Sequence, residues 1–133
     1  MKKRMNLILL ICILSVVVII IGFAVAGGRK PYKDLDSSQI VSAVVRLIPP
    51  DETIQITEIT ELANLLKDVV IYNEDNSYTE YCGQGVTFTL TMTDGTQTSI
   101  MAYNPFLVID GVGYKTKYEP CEALSHYANM LLE

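Results

Sequence analysis

The chain has 133 residues, 50% of them hydrophobic and 19% charged, with ten Lys+Arg against fifteen Asp+Glu and a net charge of −5. This length holds one domain, or one domain with an appendage, and the apolar content excludes a disordered chain. An acidic chain with no basic cluster beyond its N-terminus is a poor partner for nucleic acid, because phosphate contacts need concentrated Lys and Arg. Three Cys and one His leave few ligands for a structural zinc. No phosphate-cradling Gly loop or cofactor fingerprint is present, so no cofactor is expected.

Met1 to Asn6 is a basic tail carrying Lys2, Lys3 and Arg4. Residues 7–26 (LILLICILSVVVIIIGFAVA) follow without a charge. At about 1.5 Å rise per residue, such a run crosses roughly 30 Å of hydrocarbon. Val16 to Ile21 is β-branched and would favour a strand in water. In lipid the backbone must satisfy its own hydrogen bonds, which selects helix. Two readings stand: an uncleaved signal anchor, or a secretory signal peptide cut after Ala24-Val25-Ala26. The apolar run exceeds the about 7–15 residues usual for a cleaved core, which favours the anchor. Lys2, Lys3 and Arg4 favour a cytoplasmic N-terminus, while Arg29, Lys30 and Lys33 oppose it. The short tail and signal-like layout point to a single pass of the cell membrane, N-terminus inside and C-terminal domain outside.

Residues 27–37 are polar, with Gly and Pro, and read as a short linker. Beyond residue 30, five cations (Lys33, Arg46, Lys67, Lys115, Lys117) face all fifteen acids. The net −10 should be repelled by an anionic membrane surface.

Residues 38–133 read as an extracytoplasmic α+β domain. Ser38 to Leu47 is rich in β-branched residues and ends at a Pro49-Pro50-Asp51 turn, so it is expected as a strand with Thr53 to Ile56 returning beside it. Thr57 to Asp68 is expected as a helix with Thr57 as N-cap, Glu58 and Glu61 in its first turn, and an apolar stripe of Ile59, Leu62, Leu65, Leu66 and Val69. Val69 to Tyr72 then reads as a strand.

Val86 to Thr93 alternates strictly, and Asp94-Gly95 before Thr96 to Tyr103 is the signature of a two-residue type I′ hairpin. That loop predicts Met92 opposite Gln97, Leu90 opposite Ser99, Phe88 opposite Met101 and Val86 opposite Tyr103. This face should meet the core and the threonine face should be wet. Phe106 to Ile109 and Val112 to Lys117, joined by Asp110-Gly111, repeat the device, with Ile109 opposite Val112 and Leu107 opposite Tyr114. Asn104-Pro105 between the hairpins is expected to break the ladder. Pro120 opens a last helix whose apolar face is Ala123, Leu124, Tyr127, Ala128, Met130 and Leu131. The expected fold is α+β: an N-terminal transmembrane helix, then a bent antiparallel sheet of about five to seven strands with two helices packed on one face.

Catalytic residues are scarce. His126 stands alone on the last helix, and its neighbour Ser125 points about 100° away, which is unsuited to a dyad. Asp94 and Asp110 precede Gly in hairpin turns, and turn chemistry accounts for them. Cys82 and Cys121 are a candidate disulfide in a non-cytosolic compartment, the other reading being two unpaired thiols. Tyr72, Tyr78 and Tyr81, interleaved with Glu74, Asp75 and Glu80, have the composition of a recognition surface, since rigid amphipathic rings give contact area at low entropy cost. The same stretch can also be read as an ordinary hairpin with a polar turn.

The run Thr91–Leu124 (TMTDGTQTSIMAYNPFLVIDGVGYKTKYEPCEAL) resembles a small domain of unknown function in exported proteins of anaerobic Gram-positive bacteria. Such domains stand alone behind a signal or anchor, or behind membrane-embedded sensor metallopeptidases. The resemblance implies an exported location from Pro31 to the C-terminus and brings no catalytic motif. The functional expectation is a membrane-anchored, non-enzymatic binding or sensor-input domain with a protein or peptide partner. The alternative is a secreted accessory or inhibitor-like protein released after Ala26.

Overall fold

Lys2–Ala26 forms one unbroken helix, α1. The structure, a computed structural model, describes residues 2–81, 83 and 85–133, and the side chains of all of these except residues 21–26. From Lys2 to Ile20 the helix is exposed throughout and is long and apolar enough to cross a membrane. Its β-branched run is helical, as expected of backbone that must bond to itself in lipid.

The rest is α+β, with seven strands in one antiparallel sheet: β1 (Ile40–Ile48), β2 (Glu52–Ile56), β3 (Ile71–Glu74), β4 (Gly85–Met92), β5 (Gln97–Tyr103), β6 (Phe106–Ile109) and β7 (Val112–Thr116). Their order across the sheet is β2-β1-β4-β5-β6-β7-β3. Two helices, α2 (Ile59–Lys67) and α3 (Tyr118–Met130), cover one face. Leu62, Ala63 and Leu66 of α2 and Cys121, Leu124, Tyr127 and Ala128 of α3 close over Ala43, Val45, Leu47, Val86, Phe88, Leu90, Ile100, Ala102 and Leu107 of the sheet. The stripe expected on α2 is therefore the buried one. Its N-terminus differs: the helix begins at Ile59 after Glu58, and Glu58 makes no side-chain cap bond. Met130 at the end of α3 and Leu131 just beyond it are exposed, contrary to the expected apolar face.

The β4–β5 register differs by one residue from expectation. Val86 faces Ala102, Phe88 faces Ile100, Leu90 faces Thr98 and Thr91 faces Gln97. The loop has three residues, not two. Gly95 N–H donates to Met92 O at 3.0 Å, closing a turn, and Met92 N–H donates to Thr96 O at 2.8 Å. Only Gly95 takes positive φ (+87°); Asp94 does not. This is a type I turn followed by a left-handed glycine, the usual three-residue hairpin. A one-residue slip exchanges faces. Ile100 and Ala102 are thus buried, while Met101 and Tyr103 stand on the opposite side with Thr87, Thr89 and Ser99.

The β6–β7 hairpin has the expected register, with Ile109 opposite Val112 and Leu107 opposite Tyr114. Asp110 (φ 49°) and Gly111 (φ 85°) both take the left-handed conformation that type I′ requires. Asn104-Pro105 does not break the ladder. It is a tight turn with a cis peptide, and Tyr103 pairs with Phe106 directly across it.

Residues 27–37 lie against the sheet as a strap. Arg29 and Ile71 exchange backbone hydrogen bonds, both 2.9 Å, so the strap adds a short bridge outside β3. Tyr32 and Leu35 pack on the core, and Asp36 caps the following 3-10 turn (Ser37–Gln39) through its side chain.

Candidate functional site

The sheet order sets an unusual task for residues 75–84. The strand before them, β3, is at one edge, and the strand after them, β4, lies between β1 and β5. The connection must cross β7, β6 and β5, and it does so on the face away from the helices. The hairpin reading of the Tyr/acidic stretch is therefore replaced by a crossover. The cause is topological: β3 pairs with β7, not with the strand that follows it.

The crossing is fastened stepwise. Over β7, Asp75 N–H donates to Gly113 O and Gly113 N–H donates to Asn76 Oδ1, each at 2.8 Å. Asp75 Oδ1 accepts from Ser77 N–H at 3.0 Å and from Ser77 Oγ at 2.6 Å. Those two donors, with Lys115 Nζ 3.6 Å from Oδ2, hold the Asp75 carboxyl below the usual carboxylate range. Tyr78 Oη donates to Gly111 O at 2.9 Å. Over β6, the rings of Tyr78 and Tyr81 lie 6.4 and 5.7 Å from Phe106. Lys115 Nζ sits 4.5 Å from the Phe106 centroid, a cation–π distance. This explains why Phe106 is buried on a face that has no helix. Over β5, Gly83 reaches Tyr103, where a Cβ would stand 2.7 Å from the hydroxyl.

Between the crossing segment and the strands is a groove of about 250 Å³ lined by Tyr78, Thr79, Tyr81, Gly83, Gly85, Met101 and Tyr103. Its walls are rings and a thioether, and Tyr81 is 59% exposed. Of the six residues expected as a recognition surface, the structure gathers Tyr78, Tyr81 and Asp75 around Phe106. Tyr78 and Tyr81 line the groove, and Asp75 supports it. Glu74 and Glu80 are exposed beside it. Tyr72 is elsewhere, on β3 against Gly28 of the strap. Sequence reasoning missed Met101, Tyr103, Phe106 and Lys115. The slipped register hid the first two. A glycine inside a strand, Gly113, was the available signal for the crossing, since such a residue marks close approach by other groups.

The other candidates are dispersed. Cys121 is buried, its thiol donating to Phe106 O at 3.6 Å, and burial pushes its pKa up to about 12. That is the reverse of an activated nucleophile. The candidate partner Cys82 lies outside the described residues, and with it the disulfide. His126 is exposed, at the rim between a polar hollow of about 310 Å³ with Asn104, Glu122, Ser125 and Asn129, and an apolar one of about 350 Å³ with Leu65, Tyr127 and Met130. Asp94 Oδ1 accepts from Thr96 N–H (2.9 Å) and Oγ1 (2.6 Å), and Asp110 Oδ1 accepts from Ser99 N–H (2.8 Å), so both serve turns. Among the described residues no three His, Cys, Asp or Glu are grouped to hold a metal.

No protein-family model, curated protein or solved structure matches the chain.

Proposed function

We propose that this chain is a membrane-anchored extracytoplasmic binding domain, non-enzymatic, whose peptide or protein ligand lies in the tyrosine-lined groove. The carrying observation is the groove itself. Ten residues are spent crossing three strands, and the crossing places Tyr78 and Tyr81 opposite Met101 and Tyr103 around an open trough. Rigid rings with polar tips are efficient contact groups, because few rotamers are lost on binding. The absence of activation at Cys121 and the exposure of His126 support a binding role over a catalytic one.

A photoreactive residue at Thr79, tested in the intact cell, reads this directly. Crosslinks to a discrete partner, lost with Tyr81→Ala and absent from a probe at Thr93 in the distant β4–β5 turn, are the expected result. Labelling indifferent to Tyr81→Ala removes the groove from the function. The secreted alternative rests on Ala24-Val25-Ala26, and N-terminal sequencing separates the two: a chain beginning at Gly27 is released, and one retaining the apolar run is anchored.

A further inference from the structure

We infer that the β3 edge of the domain, with its strap, is seated in the headgroup layer of the membrane and holds anionic phospholipid there through Lys30, Lys33 and Lys117. The inference rests on the reading of α1 as an uncleaved span.

Chain length carries the argument. The apolar helix ends at Ala26, and Arg29 is already fixed to the sheet by two backbone hydrogen bonds to Ile71. Three residues reach at most about 10 Å when fully extended. The headgroup layer is about 5–8 Å deep on each side of the hydrocarbon. The tether therefore keeps Arg29 within about 10 Å of the hydrocarbon, in the headgroup layer or at its outer boundary.

The residues at this edge suit the place. Lys30 and Lys33 are exposed on the turn after Arg29. Lys117, also exposed, joins them because its N–H donates to Val70 O, beside Ile71. Tyr72, 37% exposed and packed on Gly28, is an amphipathic ring of the kind that settles at membrane interfaces. The acids of this edge stand off from its cations: Asp34 and Asp36 come later in the strap, and the exposed Glu74 lies at the far end of β3 from Ile71.

The opposite edge has the opposite sign. Glu52 stands at the start of β2 and Glu58 follows its end, while Asp51 beside them is paired with Arg46 at 2.9 Å. Six strand steps of about 4.8 Å separate β2 from β3, roughly 29 Å along the sheet. The net −10 beyond residue 30 therefore conceals a polarity. The cationic edge is held at the lipid and the acidic edge is directed away from it.

The chain contains no Trp, so a single introduced Trp reports one location. Full-length Tyr72→Trp, and Thr53→Trp on β2 as the distant reporter, are placed in nanodiscs of phosphatidylcholine with or without phosphatidylglycerol, each containing headgroup-spin-labelled lipid. Trp at 72 is expected to be quenched several-fold more than Trp at 53, and more strongly with phosphatidylglycerol. That increment should vanish in Lys30→Gln/Lys33→Gln/Lys117→Gln, and at about 1 M salt, where screening acts within about 3 Å. Equal quenching of the two reporters overturns the seat, and a missing phosphatidylglycerol increment overturns the role of the cations. Because Trp at 72 can disturb the strap, amide exchange of the wild-type chain gives a second reading: Gly28 to Lys33 should exchange more slowly with phosphatidylglycerol, and unchanged rates overturn the proposal. Sequencing the chain recovered from cell membranes keeps the two ideas apart. A start at Gly27 overturns the anchor, whereas an intact start with unquenched Trp at 72 overturns the seat alone.

Discussion

Gly113 of β7 and Tyr78 of the crossing segment occupy one another's space: a Cβ on Gly113 would stand 2.5 Å from Tyr78 Cδ1 and 2.9 Å from Cε1. The glycine is there for room. It lets the Asp75 backbone and the Tyr78 ring approach the strand closely, and that ring in turn covers Phe106 and walls the groove.

Gly113→Ala should therefore lift Tyr78 off the sheet. Overpacking of this kind is destabilising by about 1–3 kcal/mol. The domain should remain folded, with a lower denaturation midpoint and no crosslinking at the groove. Tyr78→Phe keeps the ring and loses only the hydrogen bond to Gly111 O, a change of about 0.5–1.5 kcal/mol. If Gly113→Ala proves no more destabilising than Tyr78→Phe, the crossing segment, Asp75 backbone and Tyr78 ring together, is not seated where the structure puts it.

Cys121 makes alkaline pH a probe of the core. Burial raises its pKa from 9.0 to about 12. The thiol resists ionisation when folded and ionises sooner when unfolded, so its contribution is fully present below about pH 9 and is lost as pH rises toward 12. Stability should fall across that window by up to about 1.4 kcal/mol per pH unit from this group. Cys121→Ala should show a shallower alkaline slope in urea titrations at successive pH values. A slope identical to wild type would mean that the thiol titrates alike in both states.

How much the sequence revealed depended on whether the decisive interactions were local. The Asp110-Gly111 hairpin was legible to the residue, because both turn positions need positive φ and the two residues there accept it. Asp94-Gly95 carries the same dipeptide, yet Thr93 joins its loop and the register moves by one. A dipeptide does not reveal how many residues its loop will take. Val86 and Phe88 were correctly placed in the core, since they lie on the strand before the turn, but their partners Ala102 and Ile100 were assigned to the wrong face. The Tyr72–Tyr81 stretch failed for a different reason. The pairing of β3 with β7 joins residues about 40 apart, as Ile71 with Thr116, and nothing within the stretch announces it. The composition of the groove was visible in Tyr78 and Tyr81, while the strand residues completing it were not.

Gly95 tests the three-residue loop. Its φ is +87° and the space beside it is open, so a side chain there meets strain and no clash. Gly95→Ala should destabilise by roughly 1–2 kcal/mol, the left-handed penalty for a residue with a Cβ. Gly95→Asn should lose less, because Asn tolerates that conformation. In a two-residue type I′ loop Asp94 would also need positive φ, and Asp94→Gly would then be more stable than Asp94→Ala, both having lost the bonds to Thr96. Denaturation of those two variants decides between the loops: no advantage of Gly over Ala at position 94 is expected.

Gly28 tests whether the strap is part of the fold or merely follows the apolar helix. It combines both glycine requirements. Its φ is +73°, and a Cβ would stand 2.8 Å from Ile71 O and from the Tyr72 ring. Gly28→Ala should consequently break the paired bonds between Arg29 and Ile71, whereas Gly95→Ala, strained but unobstructed, should leave them intact. Opening should be confined to the edge, because Phe88, Leu90 and Ile100 are held by other strands and by both helices. Amide exchange is the measurement. Protection should fall at Arg29 and Ile71 and persist in β4 and β5, and trypsin should cut sooner at Arg29 and Lys33. If protection is instead lost evenly across the sheet, the strap is integral to the cooperative core. If it is lost nowhere, the bridge between Arg29 and Ile71 does not depend on Gly28, and the strap is held instead by Tyr32 and Leu35, whose side chains pack against the core.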